Sequence, residues 1–249
     1  MNKLIIANWK MNPTKEIEAS NLFKIASKKL SGLKNKKLII CPPFPYLFLF
    51  KKNKISKVLL GAQNMYRETE GSFTGEVSPA MLTDLGVKYV ILGHGERRKL
   101  GESDELINEK VLLAIKSKLY PVLCIGERER DGDGSYLAFL EDQIKKDLVG
   151  VSKSQLNNVI IAYEPLWAIG KSATREATPE EFVEIKIFIK KIISDIYGAK
   201  IAHEIPVLFG GSVNSLNAKS FLDAGADGLL VGRDSINPNK FEALLDTIK

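Results

Sequence analysis

The sequence predicts an α/β chain closed as a single (β/α)8 barrel, on three observations. Eight short apolar, β-branched runs recur along its 249 residues, at 4–9, 38–41, 58–62, 89–92, 122–125, 159–163, 207–209 and 228–231. Each run is continuously rather than alternately apolar, as a strand covered on both faces of a parallel sheet must be. Amphipathic stretches separate the runs, and no second compositional block interrupts residues 1–249. One barrel is therefore expected rather than two domains. An open doubly wound sheet is the competing arrangement, but no Gly-x-Gly-x-x-Gly follows any run.

Taken in order, the elements carry their own start and stop signals. After the first run, Ile17, Leu22, Ile25 and Leu30 fall at near-helical intervals and Gly32 stops them, so a helix is expected over 16–30. Ser103-Asp104-Glu105 opens a helix running to about residue 119, and Pro121 begins the fifth strand. Thr178-Pro179-Glu180-Glu181 is a strong start, with Thr178 as N-cap, Pro179 at the first helical position and Glu181 three residues after the cap. That helix runs to Tyr197-Gly198, and shorter helices are expected at 214–224 and 239–247.

Composition narrows the function classes. The chain is 45% hydrophobic and 27% charged, as soluble globular proteins are. Its net charge of +6 comes from scattered lysines without a basic stripe or interleaved aromatics, so no nucleic-acid partner is expected. The excess charge suits an anionic substrate instead. Cys41 and Cys124 lie inside apolar runs, away from metal-ligand or disulfide spacings, and read as buried thiols in a reducing compartment. The opening residues turn polar at Asn8, short of a secretory segment, and no apolar stretch approaches the ~20 residues that span a bilayer. A cytoplasmic address is expected, with no membrane contact, no metal and no cofactor.

In such a barrel the chemistry sits where strands end at their carboxyl side. Strand one ends in Asn8-Trp9-Lys10, strand four in Gly93-His94-Gly95-Glu96-Arg97-Arg98, and strand six in Tyr163-Glu164-Pro165. Strand seven ends in Gly210-Gly211-Ser212 and strand eight in Gly232-Arg233. Each feature alone has a bland explanation: a surface lysine, a satisfied structural histidine, a carboxylate paired with an arginine, glycines in tight turns. Their coincidence at one mouth is the information. The glycine turns let backbone N–H groups approach an oxyanion, and two on neighbouring strands fit the phosphate site often built after strands seven and eight. His203, the other histidine, is expected in a loop before strand seven, structural or exposed.

These motifs resemble the triosephosphate isomerase family through almost the whole chain. Asn8-Trp9-Lys10-Met11-Asn12 looks like its first-strand signature. Gln63-Asn64 with Gly71-Ser72-Phe73-Thr74-Gly75-Glu76-Val77-Ser78-Pro79 looks like its third loop. His94 with Glu96-Arg97-Arg98, Cys124-Ile125-Gly126-Glu127, Ala162 through Gly170, and Gly210-Gly211-Ser212-Val213 match the loops that follow. The resemblance implies a TIM (β/α)8 barrel in which Glu164 is the base, His94 a neutral imidazole polarising the carbonyl, and Lys10 a positive charge for substrate and enediolate. Asn8 would be a further hydrogen-bond donor, and Glu96 a carboxylate ordering the site. The neutral histidine beside a glutamate base is a known pattern of this family. Pro165-Leu166-Trp167 would be the first hinge of a lid, with the Gly170 N–H closing on the phosphate alongside Ser212, Gly232 and Arg233. Thr74, in the loop 64–79, corresponds to a position that reaches a partner subunit, implying a homodimer.

The sequence departs from the family pattern at several places. Gly170 is followed by Lys171-Ser172-Ala173-Thr174-Arg175-Glu176-Ala177, about two residues longer than usual. Phe209 stands where Tyr is usual, Gly95 where Ser is usual, and Arg233 where a second Gly is usual. One residue is missing between Arg98 and Gly101, and the loop after Glu127 is shortened. None of these removes a reacting group. An altered lid and an Arg after strand eight also occur in relatives acting on four-carbon ketose phosphates such as erythrulose phosphate. That substrate is the alternative to a triose phosphate, and a non-catalytic phosphometabolite-binding barrel is a third reading, disfavoured by the base.

Overall fold

The computed structural model describes residues 2–51, 57–170, 173 and 175–249. Eight parallel strands close in sequence order: β1 (Lys3–Asn8), β2 (Lys36–Cys41), β3 (Leu59–Ala62), β4 (Tyr89–Leu92), β5 (Tyr120–Ile125), β6 (Ile160–Tyr163), β7 (Val207–Phe209) and β8 (Gly228–Val231). The closure is the pairing of β8 with β1, in register from Leu4 opposite Gly228 to Ala7 opposite Val231. All eight strands fall on the apolar runs expected to form them.

Helices α1 (Glu16–Lys29), α2 (Phe44–Lys51), α3 (Pro79–Asp84), α4 (Gly95–Lys99), α5 (Asp104–Lys116) and α6 (Ser135–Asp147) follow the first five strands. Helices α7 (Lys153–Leu156), α8 (Pro179–Tyr197), α9 (Ala199–Glu204), α10 (Ala218–Asp223) and α11 (Pro238–Thr247) complete the outer ring. At α8 the expected capping box is present, Thr178 accepting from the Glu181 N–H and Glu181 from the Thr178 N–H.

Three expectations shift in detail. Helix α10 starts at Ala218 rather than 214, because Asn214 and Asn217 fold the intervening residues into a turn, with the Leu216 N–H on Asn214 Oδ1 at 2.8 Å. Asparagine offers the backbone this alternative to a helix. Helix α2 was invisible to periodicity because Phe44-Pro45-Tyr46-Leu47-Phe48-Leu49-Phe50 is apolar on nearly every face. His203 is exposed as expected but lies within α9, not in a loop.

The continuous hydrophobicity of the strands resolves into two cores. Leu4, Ile6, Ile39, Cys41, Ile91, Cys124, Ala162, Leu208 and Leu230 belong to one buried cluster. Their strand neighbours Ile5, Ala7, Ile40, Leu92, Ile125, Tyr163 and Val231 belong to the larger cluster shared with the helices. Successive side chains of a strand point to opposite faces, so the first set fills the barrel and the second seats the helices. The parity extends past the strand ends: Asn8 and Lys10 continue the inward row of β1, and Glu164 that of β6. Phe209 has the other parity. Its ring stacks on Phe221 of α10 at 3.6 Å and meets Phe182 of α8 edge-on, buried away from the barrel mouth.

Candidate active site

Every site residue singled out in the sequence lines one cleft of about 1190 Å³ at the carboxyl ends of the strands. Asn8, Lys10, His94, Glu96, Glu164, Gly170, Ser212, Gly232 and Arg233 all border it. Thr74 does not. It lies in an exposed stretch, residues 67–76, whose neck closes where the Tyr66 N–H donates to the Val77 carbonyl at 2.8 Å.

The chain turns sharply after β4. Gly93 takes a φ of +69°, a left-handed conformation that glycine adopts without steric cost. His94 then caps α4, its Nδ1 accepting the Glu96 N–H at 3.1 Å. A nitrogen that accepts an N–H holds a lone pair, so the neutral ring carries its proton on Nε2. Arg98 braces this turn from behind, donating to the Gly93 carbonyl at 2.8 Å and pairing with Asp147 at 2.6 Å and with Asp104. Burial pushes the Asp147 carboxyl up to about 7 despite the attraction of Arg98.

Glu164 is buried, at 4% exposure, and its two oxygens are both engaged. Oε1 lies 3.1 Å from His94 Nε2, and Oε2 accepts the Gly95 N–H at 3.0 Å. A carboxylate away from water needs such partners. Its backbone is fixed as closely: the Glu164 N–H donates to the Ile125 carbonyl at 2.8 Å. A side chain at Gly126 would place its Cβ 1.8 Å from the Glu164 carbonyl oxygen, so only glycine fits there.

Lys10 faces this pair across the mouth. It holds a left-handed φ of +53°, rare for a residue with a side chain. Its N–H donates to Asn8 Oδ1 at 3.0 Å, and its carbonyl accepts from Gln63 Nε2 at 2.8 Å, which also reaches the Cys41 carbonyl. The strained backbone thereby aims the ammonium into the cleft, where Nζ meets Glu96 Oε1 at 2.5 Å. Partial burial pushes the Glu96 carboxyl up, but the hydrogen bond and charge of Lys10 outweigh it and hold it below the usual range.

The remaining residues lie on the side of the cleft formed after β6, β7 and β8. Ser212 donates its hydroxyl to the Ala168 carbonyl at 3.1 Å, joining the loop after β7 to the short turn Leu166–Ala168 that follows β6. Gly210 does not serve as an anion donor, since its N–H goes to the Tyr163 carbonyl at 2.8 Å. Arg233 is exposed at the rim, and Gly232 lies beside the Lys10 stem. Of the segment 171–177 expected to form a longer lid, Lys171, Ser172 and Thr174 lie outside the described residues. Arg175 places its guanidinium 4.4 Å from the centre of a Trp167 ring and pairs with Glu181 at 2.5 Å.

Two contributors were not legible as site residues. Gln63 sets the Lys10 backbone, as described. Glu127, 1% exposed, accepts both the Tyr163 hydroxyl at 2.7 Å and the Trp167 indole N–H at 2.8 Å on one oxygen. Burial outweighs those hydrogen bonds and raises its carboxyl above the usual range. The signal for both was a polar side chain within two residues of the end of an apolar strand.

Comparison with known proteins agrees with this geometry. The family model described as triosephosphate isomerase matches residues 3–248. A triosephosphate isomerase of Carboxydothermus hydrogenoformans is 44% identical, with 98% of each chain covered. One from Aquifex aeolicus is 41% identical over 98% of this chain and 99% of its own, and one from Dictyoglomus turgidum is 40% identical over 96% of each.

Proposed function

From the chain's membership of the triosephosphate isomerase family, isomerases of a small phosphorylated sugar, we propose that Glu164 is the base with which it interconverts dihydroxyacetone phosphate and D-glyceraldehyde 3-phosphate. The carrying observation is the single cluster of Glu164, His94 and Lys10 at one barrel mouth, with two donors already aimed at the carboxylate.

The steps follow from the groups present. Glu164 takes a proton from the carbon beside the carbonyl and returns it to the neighbouring carbon. His94, protonated on Nε2, donates to the carbonyl oxygen as charge develops there, then recovers a proton from the adjacent hydroxyl. Moving the Nε2–H onto substrate frees Glu164 Oε1, the oxygen it faces, to receive the carbon-bound proton. Lys10 stabilises the enediolate and the bound anion electrostatically, worth most where water is excluded. Glu96 and Asn8 hold Lys10 in place. Phosphate binds among the Gly170, Ser212 and Gly232 N–H groups with Arg233 at the rim, and the lid beginning at Pro165 closes over it to keep water out.

The triose is favoured over the four-carbon sugar because the relatives named above act, by their names, on triose phosphate. The phosphate-side departures leave every reacting group in place. We read the 249 residues as one domain and the exposed stretch 67–76, with Phe73 at 40% exposure, as the surface that meets a second copy of the chain. Two free, buried cysteines suit the cytoplasm, where the enzyme would serve glycolysis and gluconeogenesis. Running the isomerisation in D2O tests the chemistry. Proton transfer through an enediol lets solvent deuterium reach carbon whenever the Glu164 proton exchanges before its return, so carbon-bound deuterium is expected in product and in recovered substrate, and its complete absence from both would count against an exchangeable enediol.

A further inference from the structure

A second cleft, of about 850 Å³, opens between α8 and α9 near the amino ends of β7 and β8, and shares no lining residue with the one at the barrel mouth. Its titratable side chains are Lys186, Lys190 and Lys191 of α8, His203 and Glu204 of α9, and Asp227 just before β8. Lys186 pairs with Asp227 at 2.9 Å, and Lys191, His203 and Glu204 are exposed. Lys190 differs from all of them. It is half-buried, and its Nζ donates to the His203 carbonyl at 3.1 Å and to the Ile205 carbonyl, with no carboxylate partner among the described residues.

This setting suits the neutral amine. Two N–H bonds serve both carbonyls, and the lone pair takes the third position on nitrogen, which no hydrogen-bond partner among the described residues fills. Burial pushes the Lys190 ammonium down to about 8; Asp227 opposes the fall and the like charge of Lys186 adds to it. At pH 7 its neutral fraction exceeds that of an ordinary lysine by about 10²-fold. We propose that Lys190 is a reactive amine that captures short aldehydes as an imine, in a cleft separate from the isomerase site. A lysine desolvated beside another cation is a nucleophile of this kind. The lone pair adds to the aldehyde carbon, and the carbonyl oxygen leaves as water with the two protons of Nζ. The step is redox-neutral and needs no further reactant. Once protonated, the imine keeps one N–H for a carbonyl of α9. The aldose phosphate of the isomerase reaction is such an aldehyde. The charges of Lys186 and Lys191 offset those of Asp227 and Glu204, so its phosphate is not turned away.

Glycolaldehyde phosphate tests this, because it carries an aldehyde and a phosphate but no hydroxyl with which to isomerise. The whole protein is incubated with it and with cyanoborohydride, which reduces an imine to a stable secondary amine. Peptide mass spectrometry then compares the labelling of Lys190 with that of Lys191 and Lys200 on the same chains. Both of these are exposed, so accessibility alone would label them first. Lys190 is expected to be labelled about tenfold faster than either at pH 7, with a rate that levels off above about pH 8. Labelling of Lys190 no faster than the exposed pair overturns the proposal, as does a rate still climbing between about pH 9 and pH 10. The same labelling is expected in Glu164→Gln, so the result stands apart from the reading of Glu164 as the base. Loss of Lys190 labelling in that variant would overturn the separation of the two sites.

Discussion

His94 Nε2 lies 3.1 Å from Glu164 Oε1 while His94 Nδ1 accepts the Glu96 N–H, so the one proton on the imidazole stands between the carboxylate and the open cleft. A neutral ring in that tautomer can polarise a carbonyl and exchange protons between two adjacent oxygens.

His94→Gln keeps a donor near the cleft but cannot shuttle a proton. Its kcat is expected to fall by about 10²–10⁴, with the affinity for inorganic phosphate little changed. Steady-state kinetics with a phosphate inhibition constant checks this, and a kcat within threefold of the parent would count against the role.

Lys10→Met removes the charge and leaves an apolar stem of similar length. Both a higher KM and a kcat lower by about 10²-fold or more are expected, since the ammonium meets ground state and enediolate alike. A change in KM alone would assign Lys10 to binding only.

Asp147 supplies a pH dependence. An acid whose folded value is raised contributes stability that is complete below its unfolded value, near 3.9, and is lost as pH climbs through the folded value of about 7. The parent Tm should therefore decline across this range relative to Asp147→Asn, the gap moving in the variant's favour between about pH 4 and pH 7 and levelling off above it. Parallel Tm curves for the two proteins would show that Asp147 ionises normally.

The barrel and the cluster of polar groups at its mouth were legible because they depend on periodicity and position. Continuous apolar runs require strands covered twice, and parity places Lys10 and Glu164 at the mouth. Contacts made across the fold were not legible. Nothing near Lys10 in sequence announces Gln63, and α2 gave no helical period because nearly every residue in it is apolar. Asn214 and Asn217 delayed α10 through side-chain hydrogen bonds that a pattern of apolar positions does not register.

Glu127 ties Tyr163 and Trp167 to one oxygen. Glu127→Leu strands one buried and one half-buried donor, and a loss of about 2–4 kcal/mol in unfolding free energy is expected from chemical denaturation. Glu127→Gln keeps an acceptor and should lose less. Equal losses in the two variants would mean that the hydrogen bonds are not what stabilises the hinge.

The central claim, that Glu164 moves the proton, is tested most directly by kcat of Glu164→Gln on D-glyceraldehyde 3-phosphate, with phosphate affinity measured on the same sample. The amide fills the same space and cannot accept the carbon-bound proton. The expected result is a kcat lower by about 10³-fold or more with phosphate still bound at near-parental affinity. Turnover within tenfold of the parent would contradict the account.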